Sequence, residues 1–114
     1  MISDFKLNSE IKGNMLIIST EGYINNNGGQ KIADEFYSKK TNDIKKVILN
    51  LEKTKVVNSI GISFLIELIE KLNESNGKLV FTNLDASIDK TFTIMGLYHF
   101  AEKTDTVEQA LGAG

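Results

Sequence analysis

Few residues of this 114-residue chain could do chemistry, since it has no cysteine and a single histidine, His99. Without cysteine, disulfides, thiolate nucleophiles and cysteine-based metal sites are excluded. A serine nucleophile activated by histidine could use only His99, and nothing in the sequence places His99 near a candidate serine. The chain also lacks the His-Glu-x-x-His spacing of a metal site. These residue types argue against an enzyme, and we expect neither a metal nor a cofactor.

Ser59 is the hydroxyl residue with the most unusual setting. It follows the apolar run Val47 to Leu51 and precedes a helical pattern that ends at Asn76-Gly77. Asn58 and Ser59 occupy the position of a helix N-cap, where a short side-chain oxygen accepts a free backbone N–H. Capping alone is the commonest role of such a serine. A phosphate on Ser59 would nevertheless lie at the positive end of the helix dipole, so the fold should tolerate its charge.

The helix after Ser59 leaves two apolar side chains without a clear place in the core. At about 100° per residue, polar residues fall on one stripe and most apolar residues on the opposite face. The polar stripe comprises Ser63, Glu67, Glu70, Lys71 and Glu74, and the core face comprises Gly61, Ile62, Leu65, Leu68, Ile69 and Leu72. Ile60 and Phe64 lie on neither face. We therefore predict that both are at least partly exposed, beside Ser59.

The strand patterns predict a sheet with a buried centre. Alternation from Phe5 to Lys12, followed by Gly13-Asn14, predicts a half-exposed strand and a hairpin turn. Three later runs are apolar on both faces, which is typical of buried strands. These core strands are Met15 to Ile18, Val47 to Leu51 and Leu79 to Phe81. Strands that alternate with helices favour parallel neighbours in the sheet.

Three further helices are expected besides the one after Ser59. Apolar spacing predicts a first helix from about Gln30 to Lys40, and an Asp85 cap predicts another to about Met95. A last helix should begin after a Thr104 or Asp105 cap. Leu97 to Phe100 is predicted to be a short edge strand or an extended segment.

The segment from Gly22 to Gly29 has the composition of a loop, because three consecutive asparagines precede a glycine pair. One interpretation is a plain connection between a strand and a helix. The other is a loop beside Ser59 that contributes to a partner surface. The glycine pair does not have the spacing of a phosphate-binding loop.

Composition favours a single soluble domain over residues 1–114. Apolar residues make up 41% of the chain and charged residues 25%, and the net charge is −2. This balance gives no basic surface for nucleic acid and no polybasic cluster for an anionic membrane. The start of the chain lacks the features of a signal peptide, so we expect a cytoplasmic location.

Several of these segments resemble one known family. Asn58-Ser59-Ile60-Gly61, between an apolar strand and an apolar helix, resembles the Asp-Ser-(Ser or Thr)-Gly phosphorylation motif of STAS domains. Gly22-Tyr23-Ile24-Asn25 resembles an early Gly-x-Leu-Asp segment, and Val107 to Leu111 is similar to the family's C-terminal region. The most similar members are the bacterial anti-sigma factor antagonists. Asn58 and Asn25 each replace an aspartate, and Ile60 replaces a hydroxyl residue. An asparagine cannot act as a base or carry charge.

The resemblance implies an α/β fold: a single STAS-like domain with a mixed four- to five-stranded sheet and about four helices. It also implies a protein–protein switch that is not itself an enzyme. Unphosphorylated protein would bind an anti-sigma factor that is also a serine kinase, and phosphorylation of Ser59 would end the binding. A phosphoserine phosphatase would restore it. The expected partner-binding residues are Asn25, Asn58, Ile60, Gly61 and Phe64.

Two other functions are compatible with the same patterns. One is an unswitched STAS module that binds a small molecule or nucleotide, because open α/β sheets bind ligands at the carboxyl ends of their strands. The other is a scaffold for a different signalling complex. In each case we expect a monomer or a weak dimer.

Overall fold

The computed structural model describes residues 5–40 and 43–112. Within them lie five strands and four α-helices. The strands are β1 (Lys6–Lys12), β2 (Met15–Glu21), β3 (Lys46–Lys53), β4 (Lys78–Thr82) and β5 (Glu102–Thr104). The helices are α1 (Asn26–Lys39), α2 (Ser59–Glu74), α3 (Ala86–Ile94) and α4 (Val107–Gly112), with a 3₁₀ turn at Leu97–His99 after α3. Residues 1–4, at the start of the segment that we searched for a signal peptide, lie outside the described residues.

The described strands form one mixed sheet in the order β1-β2-β3-β4-β5, which is also their order in the chain. β1 pairs with β2 in an antiparallel hairpin, and the other neighbours are parallel. Gly13 has a φ of 62° in the hairpin turn, a conformation that glycine adopts without steric cost. The predicted α/β architecture is therefore confirmed.

Two apolar layers cover the two faces of the sheet. On one face, alternate residues of β2, β3 and β4 pack against α1, α2 and α3, with Leu16, Leu49 and Phe81 among those fully buried. On the other face, Ile17, Ile48 and Val80 pack against Ala110 of α4. These strands are buried on both sides because side chains alternate between the two faces. The three predicted core strands are confirmed.

The predictions for the last part of the chain were partly wrong. Residues 97–99 form the 3₁₀ turn rather than a strand, because Gly96, with a φ of 78°, redirects the chain after α3 and Leu97 is buried. The edge strand is instead β5, whose polar sequence carries little strand signal. The cap of α4 is Thr106, whose Oγ1 accepts the Gln109 N–H at 3.1 Å. The Thr104 hydroxyl, predicted as a cap, donates to the Thr106 carbonyl.

Asp89 joins α3 to the 3₁₀ turn and to β5. Its Oδ1 accepts a 2.7 Å hydrogen bond from the Tyr98 hydroxyl and a 2.9 Å one from the Lys103 ammonium. These two donors, the Tyr98 hydroxyl first, lower the pKa of Asp89 below its usual value. Burial raises the pKa of Tyr98, so its hydroxyl remains a donor at all physiological pH values.

We expect Asp89→Asn to destabilise the fold by about 1 kcal/mol near neutral pH, because it weakens charge-assisted bonds that are partly screened by solvent. The folded-state pKa lies below the unfolded one, so this contribution is complete above the unfolded pKa. It disappears as the pH falls through the folded pKa. Urea denaturation at about pH 7 and about pH 3 measures the change. Glu10→Gln, on exposed β1, is the control. A difference between wild type and Asp89→Asn that does not shrink in acid would contradict this account.

Candidate functional site

Two strand-to-helix connections run side by side at the carboxyl ends of β2 and β3. Residues 22–25 lead from β2 into α1, and residues 54–58 lead from β3 into α2. The Ile24 N–H donates to the Val56 carbonyl at 3.0 Å, and the Asn58 N–H donates to the Ile24 carbonyl at 3.1 Å. Ile24 and Val57 form a parallel bridge. The pairing of the two strands thus continues past the sheet and brings the N-termini of α1 and α2 together.

An asparagine caps each of these helices. Asn25 Oδ1 accepts the Gly28 N–H at 3.0 Å, and Asn58 Oδ1 accepts the Gly61 N–H at 2.8 Å. Both residues have extended backbones, as N-caps require. The cap of α2 is therefore Asn58, and Ser59 is its first helical residue. The helix α1 begins at Asn26, so the prediction of a loop through Gly29 was wrong.

The glycines at the start of α1 and α2 allow backbone and rings to approach closely. A Cβ on Gly61 would overlap the Ile24 carbonyl oxygen, and one on Gly29 would lie 2.5 Å from Cδ2 of Phe64. A Cβ on Gly28 would lie 2.9 Å from the Tyr23 carbonyl oxygen. The glycine pair therefore lies inside a helix because α1 packs tightly there against α2 and its own connection.

Ser59 lies on the surface, next to the exposed apolar side chain of Ile60. It is exposed, and its hydroxyl makes no hydrogen bond with another described residue. Ile60, next to it, is 52% exposed, whereas Phe64 is partly buried because its ring packs on Gly29. The paired connections also expose Tyr23 and Val56, which are 39% and 52% accessible. We call Tyr23, Val56, Ile60 and Phe64, with Ser59, the Ser59 surface.

The positive ends of the α1 and α2 helix dipoles meet beside Ser59. The first turns of α1 and α2 consist of uncharged residues, so the positive helix ends are not neutralised locally. The Lys55 ammonium lies 3.5 Å from a carboxylate oxygen of Asp85, the cap of α3. Hydrogen bonds from Ser87, together with Lys55, lower the pKa of Asp85, which therefore stays ionised.

The structure does not assemble a hydrolytic site around Ser59. His99 lines a cleft with Asn73, which lies fourteen residues along α2 from Ser59, a rise of about 20 Å. Across residues 5–40 and 43–112, no three histidine or acidic side chains come together as metal ligands would. Within the same residues, each helix is too short or too polar to cross a membrane.

A family model for the STAS domain matches residues 6–110. This chain belongs to the STAS domain family. The fold is also similar to solved anti-sigma factor antagonists. One is from Mycobacterium paratuberculosis, with a TM-score of 0.84, 16% identity, and 99% of this chain and 97% of that chain covered. Another, from Planctomyces limnophilus, has a TM-score of 0.81 and 16% identity, with coverage of 94% and 95%.

A third neighbour is the Bacillus cell fate determinant SpoIIAA, solved in its phosphorylated form. Its TM-score is 0.74 at 18% identity, and 96% of this chain and 98% of that chain are covered. At such low identity these likenesses establish the fold of the STAS domain, while the roles of individual residues must be argued from their own geometry.

The STAS domain places the predicted site residues at one end of α1 and α2, in three different roles. Ile60 and part of Phe64 are available to a partner, whereas Gly61 is buried and allows the close approach of the two connections. Asn25 and Asn58 are partly buried caps. The sequence analysis did not predict that Tyr23 and Val56 are exposed apolar residues of the two connections. The pair Val56-Val57 could have indicated this exposure. Two consecutive side chains of an extended segment point in opposite directions, so only one of them can face the interior.

Because Asn58 is the cap of α2, we expect Asn58→Ala to lower the free energy of unfolding by about 1 kcal/mol. Ser59→Ala should cost less than about 0.5 kcal/mol, since the Ser59 hydroxyl is exposed and caps nothing. Chemical denaturation of both variants makes the comparison. If Ser59→Ala were the costlier change, the serine would be the cap in solution.

Gly61→Ala should be far more damaging than an ordinary helix substitution, although alanine is the better helix former. Its Cβ would overlap the Ile24 backbone, and such overpacking typically costs about 1–3 kcal/mol. Gly112→Ala is the matched control, because a Cβ there meets no described atom within 4 Å. Thermal melts of the two variants measure the contrast. Equal melting temperatures would show that the two connections are not packed as described.

Proposed function

We propose that this STAS domain is an anti-sigma factor antagonist controlled by phosphorylation of Ser59. In its unphosphorylated form it binds an anti-sigma factor serine kinase through the Ser59 surface. The observation that carries the proposal is the exposed Ser59 hydroxyl at the start of α2, next to the exposed Ile60. Solved anti-sigma factor antagonists with the same fold support it, one of them known in a phosphorylated form.

The geometry lets a phosphate be added without harm to the fold. Since Asn58 provides the cap, modification of Ser59 leaves the Asn58–Gly61 hydrogen bond in place. A phosphoserine carries a charge of roughly −1.5 to −2 near neutral pH. At the first turn of α2 this charge interacts favourably with the helix dipole, and the uncharged first turn of α1 adds no repulsion.

The same phosphate would expel a partner that packs on Ile60. An apolar contact over Ile60 and Phe64 would have to desolvate the adjacent phosphate, and burial of an unpaired charge is very costly. The modification therefore weakens the complex through the interface and leaves the domain folded. A phosphoserine phosphatase would reverse the switch.

The kinase must supply the chemistry of transfer. Asn58 is neutral and its Oδ1 already accepts the Gly61 N–H, so it cannot take the proton of the Ser59 hydroxyl. The base and the ATP then belong to the partner, and the STAS domain acts as substrate and ligand, without a cofactor. We place this exchange in the cytoplasm, with the domain as a monomer or a weak dimer.

The test is calorimetric titration of the unmodified protein, Ser59→Ala and Ser59→Asp into the serine kinase encoded nearest to this chain. We expect Ser59→Ala to bind like the unmodified protein, because it removes one small hydroxyl. Ser59→Asp should weaken binding at least about tenfold, or about 1.4 kcal/mol. The control is Asn8→Asp, which adds the same charge on β1, and it should bind normally. Incubation with ATP should add one phosphate to the unmodified protein and none to Ser59→Ala.

Two results would reject the switch. Equal affinity of the unmodified protein, Ser59→Ala and Ser59→Asp would leave Ser59 without a role in binding. Phosphate incorporation into Ser59→Ala would move the modification to another residue.

A further inference from the structure

A second candidate interaction surface lies farther along α2, away from Ser59. It is an open groove of about 750 Å³ between α2 and the segment after α3. The α2 wall carries Ile66, Ile69, Glu70 and Glu74, and the opposite wall carries Met95 and Phe100. We call it the α2–α3 groove. None of the residues that define the Ser59 surface lines this groove.

The apolar part of the groove is unusually exposed. Phe100 is 68% accessible and Met95 is 51% accessible, and the neighbouring Ile94 is 74% accessible. Ile66 and Ile69 form the facing wall, with Ile69 buried in the core and Ile66 partly buried. Exposed apolar side chains grouped beside a groove offer a partner apolar area to bury.

The charged rim of the groove is acidic. Glu70 is exposed and forms no ion pair with another described residue, and Glu74 lies 4.0 Å from the Lys71 ammonium at its nearest. Among the described residues that line the groove, none is basic. A partner that forms ion pairs with the rim must therefore carry positive charge. The Glu70 carboxylate, which has no ion pair with a described residue, is available for such a pair.

The dimensions of the groove suit a short helix. Its α2 wall extends from Ile66 to Glu74, a rise of eight residues or about 12 Å of helix, slightly more than two turns. The Asn73 side-chain amide donates a long, 3.5 Å hydrogen bond to the Phe100 carbonyl and joins the two walls. Two turns of a docked helix would place apolar residues at positions i, i+4 and i+7 along such a wall.

We propose that the α2–α3 groove binds an amphipathic, basic α-helix of a partner protein. Apolar side chains on one face of that helix would pack between Phe100, Met95 and Ile66, while a flanking lysine or arginine pairs with Glu70. This site is separate from the Ser59 surface, so the domain could hold one partner by each surface at once. The occupant differs from the proposed kinase interface in chemistry, because it requires positive charge and is insensitive to phosphorylation of Ser59.

The probe is a 14-residue model helix of leucine and lysine, titrated into ¹⁵N-labelled protein and followed by NMR. A leucine and glutamate peptide with the same apolar face is its charge control. We expect the lysine peptide to shift amide signals of residues 66–74 and 95–100 and the glutamate peptide to bind at least about tenfold more weakly. Phe100→Ala should weaken lysine-peptide binding about fivefold or more. Glu70→Gln should weaken it less, because the pair is solvent-exposed.

Matched substitutions away from the groove distinguish binding at a defined site from non-specific charge or apolar attraction between the peptide and the protein. Glu10→Gln and Ile11→Ala, both on β1, remove an exposed carboxylate and an exposed apolar side chain, and we expect neither to change binding. Ser59→Asp should also bind the peptide normally. If Glu10→Gln weakened binding as much as Glu70→Gln, or if signals outside the groove shifted equally, the proposal would be wrong.

Analytical ultracentrifugation tests the alternative occupant, a second copy of this chain. If the protein dimerised in the micromolar range and Phe100→Ala abolished the dimer, the groove would be a self-association surface and the proposal would be rejected. A monomer in this range, together with the NMR shifts above, supports it.

Discussion

The carbonyl group of Ile24 is the point on which the site depends. It accepts the Asn58 N–H, and the backbone of Gly61 lies directly against it. Ile24 is fully buried, so water cannot compete for this hydrogen bond. The bond ties the entry of α2 to the entry of α1 through backbone atoms, which have far less freedom than side chains. This attachment fixes where α2 begins, and therefore where Ser59 and Ile60 lie relative to α1.

One result of the attachment is that Asn58 and Ser59, although adjacent, have different roles. Asn58 is held in place by its capping bond, whereas Ser59 is exposed and its hydroxyl bonds to no other residue that the structure describes. In a helix whose serine was the cap, modification would remove a structural bond. Here the capping group, the Asn58 side chain, is separate from the Ser59 hydroxyl, so the phosphorylation that we propose would change the surface charge and leave the capping bond in place.

Sequence patterns predicted the parts of the structure that burial controls. The core face of α2 matches its buried residues one for one, and the three apolar strands lie at the centre of the sheet. The patterns failed where a contact distant in sequence decides the backbone. Residues 26–29 look like a loop, yet they are helical because Phe64 packs against Gly29. Likewise, the three residues of β5 are polar and pair only because β4 offers them an edge.

The strand order of the sheet also bears on how the chain folds during and after its synthesis. Because neighbours in space are neighbours in sequence, each strand that emerges from the ribosome finds its partner already synthesised. Only the β1–β2 hairpin joins residues close in sequence; each parallel pair joins strands separated by a helix or a longer segment, and such non-local pairs form more slowly. The residues of the Ser59 surface have all been synthesised by the end of α2, whereas the α2–α3 groove needs residues 95–100 as well. A single domain generally folds as one unit, however, and α2 packs in the same core as β4 and α3. Both surfaces therefore form together, once the chain that buries α2 has been made.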